Sequence, residues 1–416
     1  MPTNFLLLVK ERKIHSIPIF IIAFFPFFLL TGSLVINSFI ILLDIIFLLE
    51  LFKTKKFSDF KNLFFIFLSL FFFSLIINIF LNTGDRFSFE RQIGFLRFFI
   101  FVFAIKYYLS LKSDVYFNDI IKIWSIIFVV VTIDIYFEFI FGFNLFGNTS
   151  YMPGRISSFL GDELKIGNFY NGFIFIIVSY FLIKKKLTIY NIFFILAFFS
   201  AAFIIGERAN FLKILIGFII FILFSKDFKP KILIVSFLSI IFLIIGSTNK
   251  QIKIRINQIF IPINEMGLVN YIKTSHYGAH YDTAYKIFKN NKIFGIGLKE
   301  FRYESKKEIY RDNKNNIYKR DNWATHPHQV HFEILSETGL FGYFIFISFF
   351  LFSILKGLIA YFKSRNIYLL SALTFVITSL LPLIPSGSFF TTFGAAIFWL
   401  NFSFIVKFCE KERLLK

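Results

Sequence analysis

The chain has 416 residues, 57% hydrophobic and 22% aromatic, with 69 Phe, and its mean hydropathy is +0.71. A soluble globular domain has no use for that much apolar surface, so the composition points to a polytopic membrane protein. The formal net charge of +20 would suggest nucleic acid as a partner of a soluble protein; here it reports membrane orientation, and membrane lipids rather than nucleic acid are expected around the chain.

The first apolar run, Ile17–Leu30, follows Lys10, Arg12 and Lys13 and lacks a small-residue cleavage site, which marks a retained span rather than a cleaved signal. Further apolar runs fall at about 34–52, 61–81, 93–110, 120–142, 168–183, 188–205, 210–225 and 231–247, then at about 340–361, 367–384 and 388–406. The predicted fold is therefore an all-α polytopic membrane protein of about twelve transmembrane helices. About nine form an N-terminal bundle over 1–247, a large polar loop covers 248–339, and about three C-terminal helices cover 340–416.

Lys and Arg crowd one set of connections, as at Lys53, Lys55, Lys56 and Lys61 or at Lys184–Lys186. The short loops of the other face hold Arg86, Arg91, Arg155, Lys165 and Arg208. The positive-inside rule then puts both termini in the cytoplasm and the 248–339 loop on the exported face. The only cysteine, Cys409, leaves that loop without a disulfide.

Five of the six histidines lie in this loop. Within it, YDTAYKIFKNN has helical apolar spacing, FGIGLKEF reads as a turn, and the charged stretch Lys306–Arg320 reads as a solvated face or a mobile lid. The loop ends in the segment Asp321–Gly342, DNWATHPHQVHFEILSETGLFG. Val330–Glu337 has a helical pattern that Gly339 can close in a left-handed conformation, so His328 is expected at a helix N-terminus. There the dipole favours the neutral imidazole that a general base requires. Glu337 falls in the last turn, where the dipole disfavours an acid, and calls for a partner such as an arginine.

Other readings stay open at this point. The histidines could be interfacial polar residues, or His326, His328 and His331 could gather around a metal, with His276 and His280 at i, i+4 spacing as a second pair. Arg208 in a short turn, Arg97 within the fourth span and Arg255 after the ninth are arginines at or near membrane depth. A guanidinium fork suits phosphate oxygens, and several converging would bind a pyrophosphate. The blander readings are an Arg208–Glu207 salt bridge and an Arg97 pair with Asp134 or Glu138. Those two acids, one turn apart, could otherwise mark a proton or ion path.

The segment from His328 resembles the signature of the O-antigen ligase and O-antigen polymerase superfamily: His328-Gln329, nine residues, Gly339, two residues, Gly342. Gly206-Glu207-Arg208-Ala209 is similar to the family's small-residue-Arg turn, with Glu207 where a small residue is commoner. Asn291-Lys292-Ile293-Phe294-Gly295-Ile296-Gly297 is similar to its Asn-Pro-hydrophobic-hydrophobic-Gly-hydrophobic-Gly loop, with Lys292 in place of proline.

The resemblance implies a metal-independent, cofactor-free, inverting glycosyltransferase of the bacterial inner membrane with its active site facing the periplasm. Its donor would be a glycan on undecaprenyl pyrophosphate, and its acceptor lipid A–core or another glycan. His328 would be the base and Arg208 and Arg255 would hold the pyrophosphate, with Arg97 expected to join them from its place at membrane depth rather than from the resemblance. His326, Gln329, His331, Glu337, Gly339 and Gly342 would support them. The match without departure at the histidine signature favours a ligase of lipopolysaccharide biosynthesis over an O-antigen or exopolysaccharide polymerase. A transporter or flippase is the reading from outside the enzyme class.

Overall fold

The computed structural model describes residues 16–55, 62–82, 86–111, 114–183, 188–225, 231–310 and 323–411. Lys10, Arg12, Lys13, Lys56, Lys61, Lys184–Lys186, residues 311–320 of the charged stretch and Asp321 lie outside them. Among the described residues there is no strand, and the protein is an all-α polytopic membrane protein.

Each of the twelve apolar runs coincides with helix. The first is two short helices, α1 (Ser16–Ala23) and α2 (Phe25–Leu30), with Pro26 opening the second. Then follow α3 (Ser33–Thr54), α4 (Leu63–Leu81), α5 (Arg86–Phe95), α6 (Arg97–Ser110), α7 (Asp114–Phe141), α8 (Ile166–Ile183), α9 (Ile189–Ile204) and α10 (Arg208–Phe224). The polar loop contributes α12 (Lys250–Thr274) after α11 (Lys231–Thr248), then α13 (His276–Asn290) and the short α14 (Phe301–Glu304). The chain closes with α15 (Val330–Ser364), α16 (Ile367–Ser379) and α17 (Thr392–Lys411). Among the described residues seven helices are long and apolar enough to cross a membrane, or eight if the pair bent by 99° at the α11–α12 junction is one span; α9 and α16 are apolar but shorter.

The last helix is the hub. Helix α17 is buried around nearly its whole circumference, Asn401, Ser403 and Lys407 included, and it packs against α3, α6, α8, α15 and α16. Trp399 at its middle is fully buried among Phe71, Phe72, Phe349, Phe350 and Phe402. The sequence suggested spans at 367–384 and 388–406. Instead α16 stops at Ser379, and residues 380–391 form an irregular segment against the start of α15. Pro382 and Pro385 lack the N–H donors that a continuing helix would need.

Helix α15 is broken at Gly339, whose backbone (φ 65°, ψ −167°) is open only to glycine. Into the break fits the loop 291–297. Leu340 and Phe341 donate backbone N–H bonds to the carbonyls of Lys292 and Ile293 (2.8 and 3.1 Å). In return Ile296 and Gly297 donate to the carbonyls of Ser336 and Glu337 (3.1 and 2.9 Å). The α4 side chain Asn78 bonds the carbonyls of both Phe294 and Glu337 (2.6 and 3.1 Å). A Cβ on Gly339 would overlap the Ile293 carbonyl, and one on Gly295 (φ 69°) would overlap the Glu337 backbone. Gly342 lies one turn on, where a Cβ would meet the Thr338 side chain.

Gly339→Ala and Gly295→Ala should therefore each lower the stability of the detergent-solubilised protein by more than the roughly 1–2 kcal/mol of a left-handed alanine, because backbone overlap adds to the strain. Thermal melting followed by size-exclusion chromatography checks this; melting curves equal to wild type would contradict the clasp.

Candidate active site

Gln329, not His328, caps the helix: its side chain accepts the Phe332 N–H (3.0 Å) and donates to the Leu381 carbonyl (3.3 Å). His328 precedes the cap in a left-handed conformation (φ 57°), unusual for a residue with a side chain. Its carbonyl accepts the Ser386 N–H (2.8 Å), which ties this turn to the 380–391 segment. The His328 ring contacts three others: His326 (centroids 4.0 Å apart), His280 (5.3 Å) and, edge-on, Tyr277 (5.5 Å). His280 in turn bonds His276 through their Nε2 atoms (3.2 Å).

Burial, reinforced by the neighbouring imidazoles, pushes His328 down to about 3. Burial likewise pushes His326 down to about 4. The neutral ring expected from the sequence is thus produced by desolvation and like-charge neighbours rather than by the helix dipole.

His331 does not join this cluster. Its Nε2 bonds the Leu380 carbonyl (2.7 Å) and its Nδ1 faces the Tyr343 hydroxyl (3.2 Å), so both ring nitrogens are occupied. Among the described residues no three His, Cys, Asp or Glu side chains gather as metal ligands. Glu337 meets no arginine: its carboxylate accepts the backbone N–H groups of Lys299 (2.8 Å) and Phe301 (3.4 Å). Unpaired amides at a loop bend serve a buried acid as well as a guanidinium does, a partner that residue types do not reveal. Glu333 plays the same part for the Ser388 hydroxyl and the Phe389 N–H (2.7 Å).

The arginines assemble at the turn before α10. Gly206 approaches so closely that a Cβ would overlap the Gly154 carbonyl, and Ile156 donates to the Ile205 carbonyl (3.1 Å), so the two turns pack backbone to backbone. Glu207 pairs with Arg155 (2.8 Å) rather than with Arg208, which is free to bond Gln258 on α12. Arg255, also on α12, bonds the Pro153 carbonyl (3.3 Å) and feels the charges of Arg208 and Arg155. Three half-buried guanidiniums thus share one corner. Arg255 also lies within electrostatic reach of Tyr277, the residue whose ring abuts His328. That is the connection between the two sequence-predicted groups.

Arg97 stands apart. It bonds the Gly94 carbonyl and the Thr392 hydroxyl (3.1 Å), lies over the Phe98 ring and faces Asp44. Asp134 and Glu138 are engaged elsewhere: Glu138 accepts the N–H groups of Ser157 and Ser158 (3.0 and 2.6 Å), and Asp134 accepts the Leu145 N–H (2.7 Å) and the Ser158 hydroxyl. They anchor the loop that carries Arg155, and neither pairs with Arg97.

Residues 192–347, which contain Arg208, Arg255, His328, Gly339 and Gly342, match the family model described as O-Antigen ligase. Over that stretch, less than half of its length, the chain is similar to the O-antigen ligase family. No curated protein matches it. The family is one of membrane enzymes of the O-antigen ligase and polymerase type, with glycosyltransferase-like ligase activity on lipid-linked glycan donors. Sequence reasoning passed over Arg155, Tyr277, Gln258 and the 380–391 segment of the site's surroundings. Arg155 had a signal, as one of the few basic residues on the arginine-poor face; Tyr277 and Gln258 had none.

The histidines carry a pH signature. The unfolded chain takes up protons on His326 and His328 below pH 6.5, whereas the folded chain holds both neutral down to about pH 4 and 3. The unfolded state therefore binds more protons in that window. Stability should fall as the pH drops from 6.5 toward 4, by at most about 1.4 kcal/mol per pH unit for each ring. Melting temperatures measured across this range should show the decline, and a His326→Gln/His328→Gln double variant should flatten it.

Proposed function

We propose that this protein transfers a glycan from undecaprenyl pyrophosphate to an acceptor hydroxyl, that of lipid A–core, at the periplasmic face of the bacterial inner membrane. The 248–339 loop then lies outside, between a bundle over 1–247 and the helices of 340–416, with both termini in the cytoplasm. The observation that carries the reading is a neutral, half-buried imidazole whose ring neighbour Tyr277 lies within electrostatic reach of Arg255, one of three guanidiniums that share a corner.

The acceptor oxygen attacks the anomeric carbon from the face opposite the pyrophosphate. The new C–O bond forms as the bond to the pyrophosphate oxygen breaks, the electron pair leaves with the pyrophosphate, and the configuration inverts. His328 takes the hydroxyl proton, as a weak alcohol nucleophile requires. Arg208 and Arg255, with Arg155 steadied by Glu207, neutralise the departing pyrophosphate. His326 and His280 keep the base desolvated, Gln329 fixes its turn, and Glu337, Gly339 and Gly342 hold the helix beneath it. His331 steadies the 380–391 segment, and Arg97 remains with Asp44 and Thr392 outside the pyrophosphate corner.

His328→Ala should lower glycan transfer by about 10²–10⁴-fold, the contribution of a positioned base, with the protein still in the membrane. Full activity in that variant would reject the base. Arg208→Ala and Arg255→Ala should weaken donor use, read as a raised donor KM. Purified protein given lipid-linked repeats alone should make no long chains; long products would make it a polymerase. Chelators should leave activity intact, and a loss restored by zinc would overturn the mechanism.

A further inference from the structure

A second group of cations lies beside the histidines. Lys299 and Arg302 stand on either side of the start of α14, in the bend whose backbone amides Glu337 accepts. Arg302 is half-buried and makes no hydrogen bond or ion pair with the described residues, and its Nε is buried without a partner. The Lys299 ammonium bonds only a carbonyl, that of Arg91 (3.2 Å).

The two cations lie close enough to repel each other, and His326 feels the Arg302 charge. Glu333 and Glu337 lie within electrostatic reach of Lys299, and Glu333 of Arg302, but among the described residues they form no ion pair with either; their oxygens accept from Ser388 and Phe389 and from the amides of Lys299 and Phe301. Two neighbouring cations that make no ion pair, with Arg97 adding a third positive charge near Lys299, favour an anion beside the desolvated histidine pair. The pyrophosphate corner of Arg155, Arg208 and Arg255 belongs to a different group of elements, the turns before α8 and α10 and the start of α12.

The rim beside these cations is aromatic. Tyr303 and Trp323 are exposed (43% and 44%), Arg91 reaches the Tyr303 hydroxyl (3.5 Å), and Lys306 lies over the Trp323 ring. Ser305 bonds the Ala324 carbonyl (3.3 Å), which places Trp323 beside α14. Exposed rings of this kind, apolar on the face and wet at the edge, suit a sugar better than a lipid tail.

We propose that Lys299 and Arg302 form a second anion site, which takes an anionic substituent, phosphate or carboxylate, of the acceptor glycan and sets the acceptor beside His328. Its assignment to the acceptor rests on the transfer reaction proposed above; its capacity to bind an anion does not. Each substrate then has its own cationic anchor near the base.

The full-length protein in detergent, titrated with inorganic phosphate, tests the site itself. Arg302→Gln should weaken phosphate binding by about 10-fold or more, the value of a charge-assisted hydrogen bond, Arg302→Lys should retain part of it, and Arg208→Gln should leave this binding phase in place. Phosphate binding that survives Arg302→Gln, or that vanishes in Arg208→Gln alone, overturns the proposal. In the transfer assay, Arg302→Gln should raise the KM for a phosphorylated acceptor about 10-fold with donor KM unchanged. The difference should disappear with the same acceptor after phosphatase treatment; if it persists there but is lost on a carboxyl-reduced acceptor, the anion is a carboxylate. A raised donor KM instead would overturn the acceptor assignment. A wild-type protein that binds phosphate through Arg302 yet transfers no glycan would refute the transfer reaction and leave the anion site standing.

Discussion

The arrangement depends on a helix broken inside an apolar bundle. A break leaves N–H and C=O groups without partners, and where water is scarce each costs several kcal/mol. Here the loop 291–297 supplies what the break removes: two of its carbonyls accept from residues after Gly339, and two of its amides donate to carbonyls before it. The exchange is reciprocal, so neither partner could adopt its conformation alone. This is why two glycine motifs about forty residues apart belong together. One glycine opens the helix, the other lets the loop backbone come within hydrogen-bond distance, and a methyl group on either would hold them apart.

The short helical segment ahead of the break then acts as a bracket. Glu333 and Glu337, one turn apart and both buried, hold loops on two sides: the 388–389 bend through Glu333 and the 299–301 bend through Glu337. Asp134 and Glu138 do the same for the 145–158 loop, and Glu207 for Arg155 and the Gly167 amide (3.4 Å). Irregular backbone is tolerated at membrane depth only when its amides find acceptors. A carboxylate, acceptor at both oxygens, satisfies two donors from one side chain. Most acids that look anomalous in this apolar sequence have that structural task.

The sequence pattern revealed the helices well, because twelve runs of apolar residues admit little else in a bilayer. It did not reveal where a run is interrupted, since hydropathy does not register a break such as that between α1 and α2. His328, Arg208 and Arg255 could be picked out because a polar residue in such a chain is conspicuous. Their connection could not. Tyr277 sits in an amphipathic helix like many other tyrosines, and only the packing of α13 against α15 brings its ring to His328. The choice of partners was equally hidden: Arg208 bonds a glutamine fifty positions on while its sequence neighbour Glu207 takes Arg155. Neighbours in sequence are easily proposed as pairs, yet at a helix start adjacent side chains point in different directions.

The separation of imidazole from guanidiniums has a chemical consequence. A ring that loses its water and faces other imidazoles resists protonation, which keeps it free to accept a proton but makes it a feeble base. In the proposed reaction the donor changes that balance. A pyrophosphate held at Arg208 and Arg255 brings negative charge toward Tyr277 and the histidines, and in a water-poor site that charge favours the imidazolium. The base would then strengthen when the donor is in place and relax when the carrier lipid leaves. Arginine in direct contact with His328 would forfeit this coupling, because its fixed charge would oppose protonation throughout the cycle. With Tyr277 against His328 and Arg255 within electrostatic reach of Tyr277, the cations stay near the base without touching it, which leaves the base responsive.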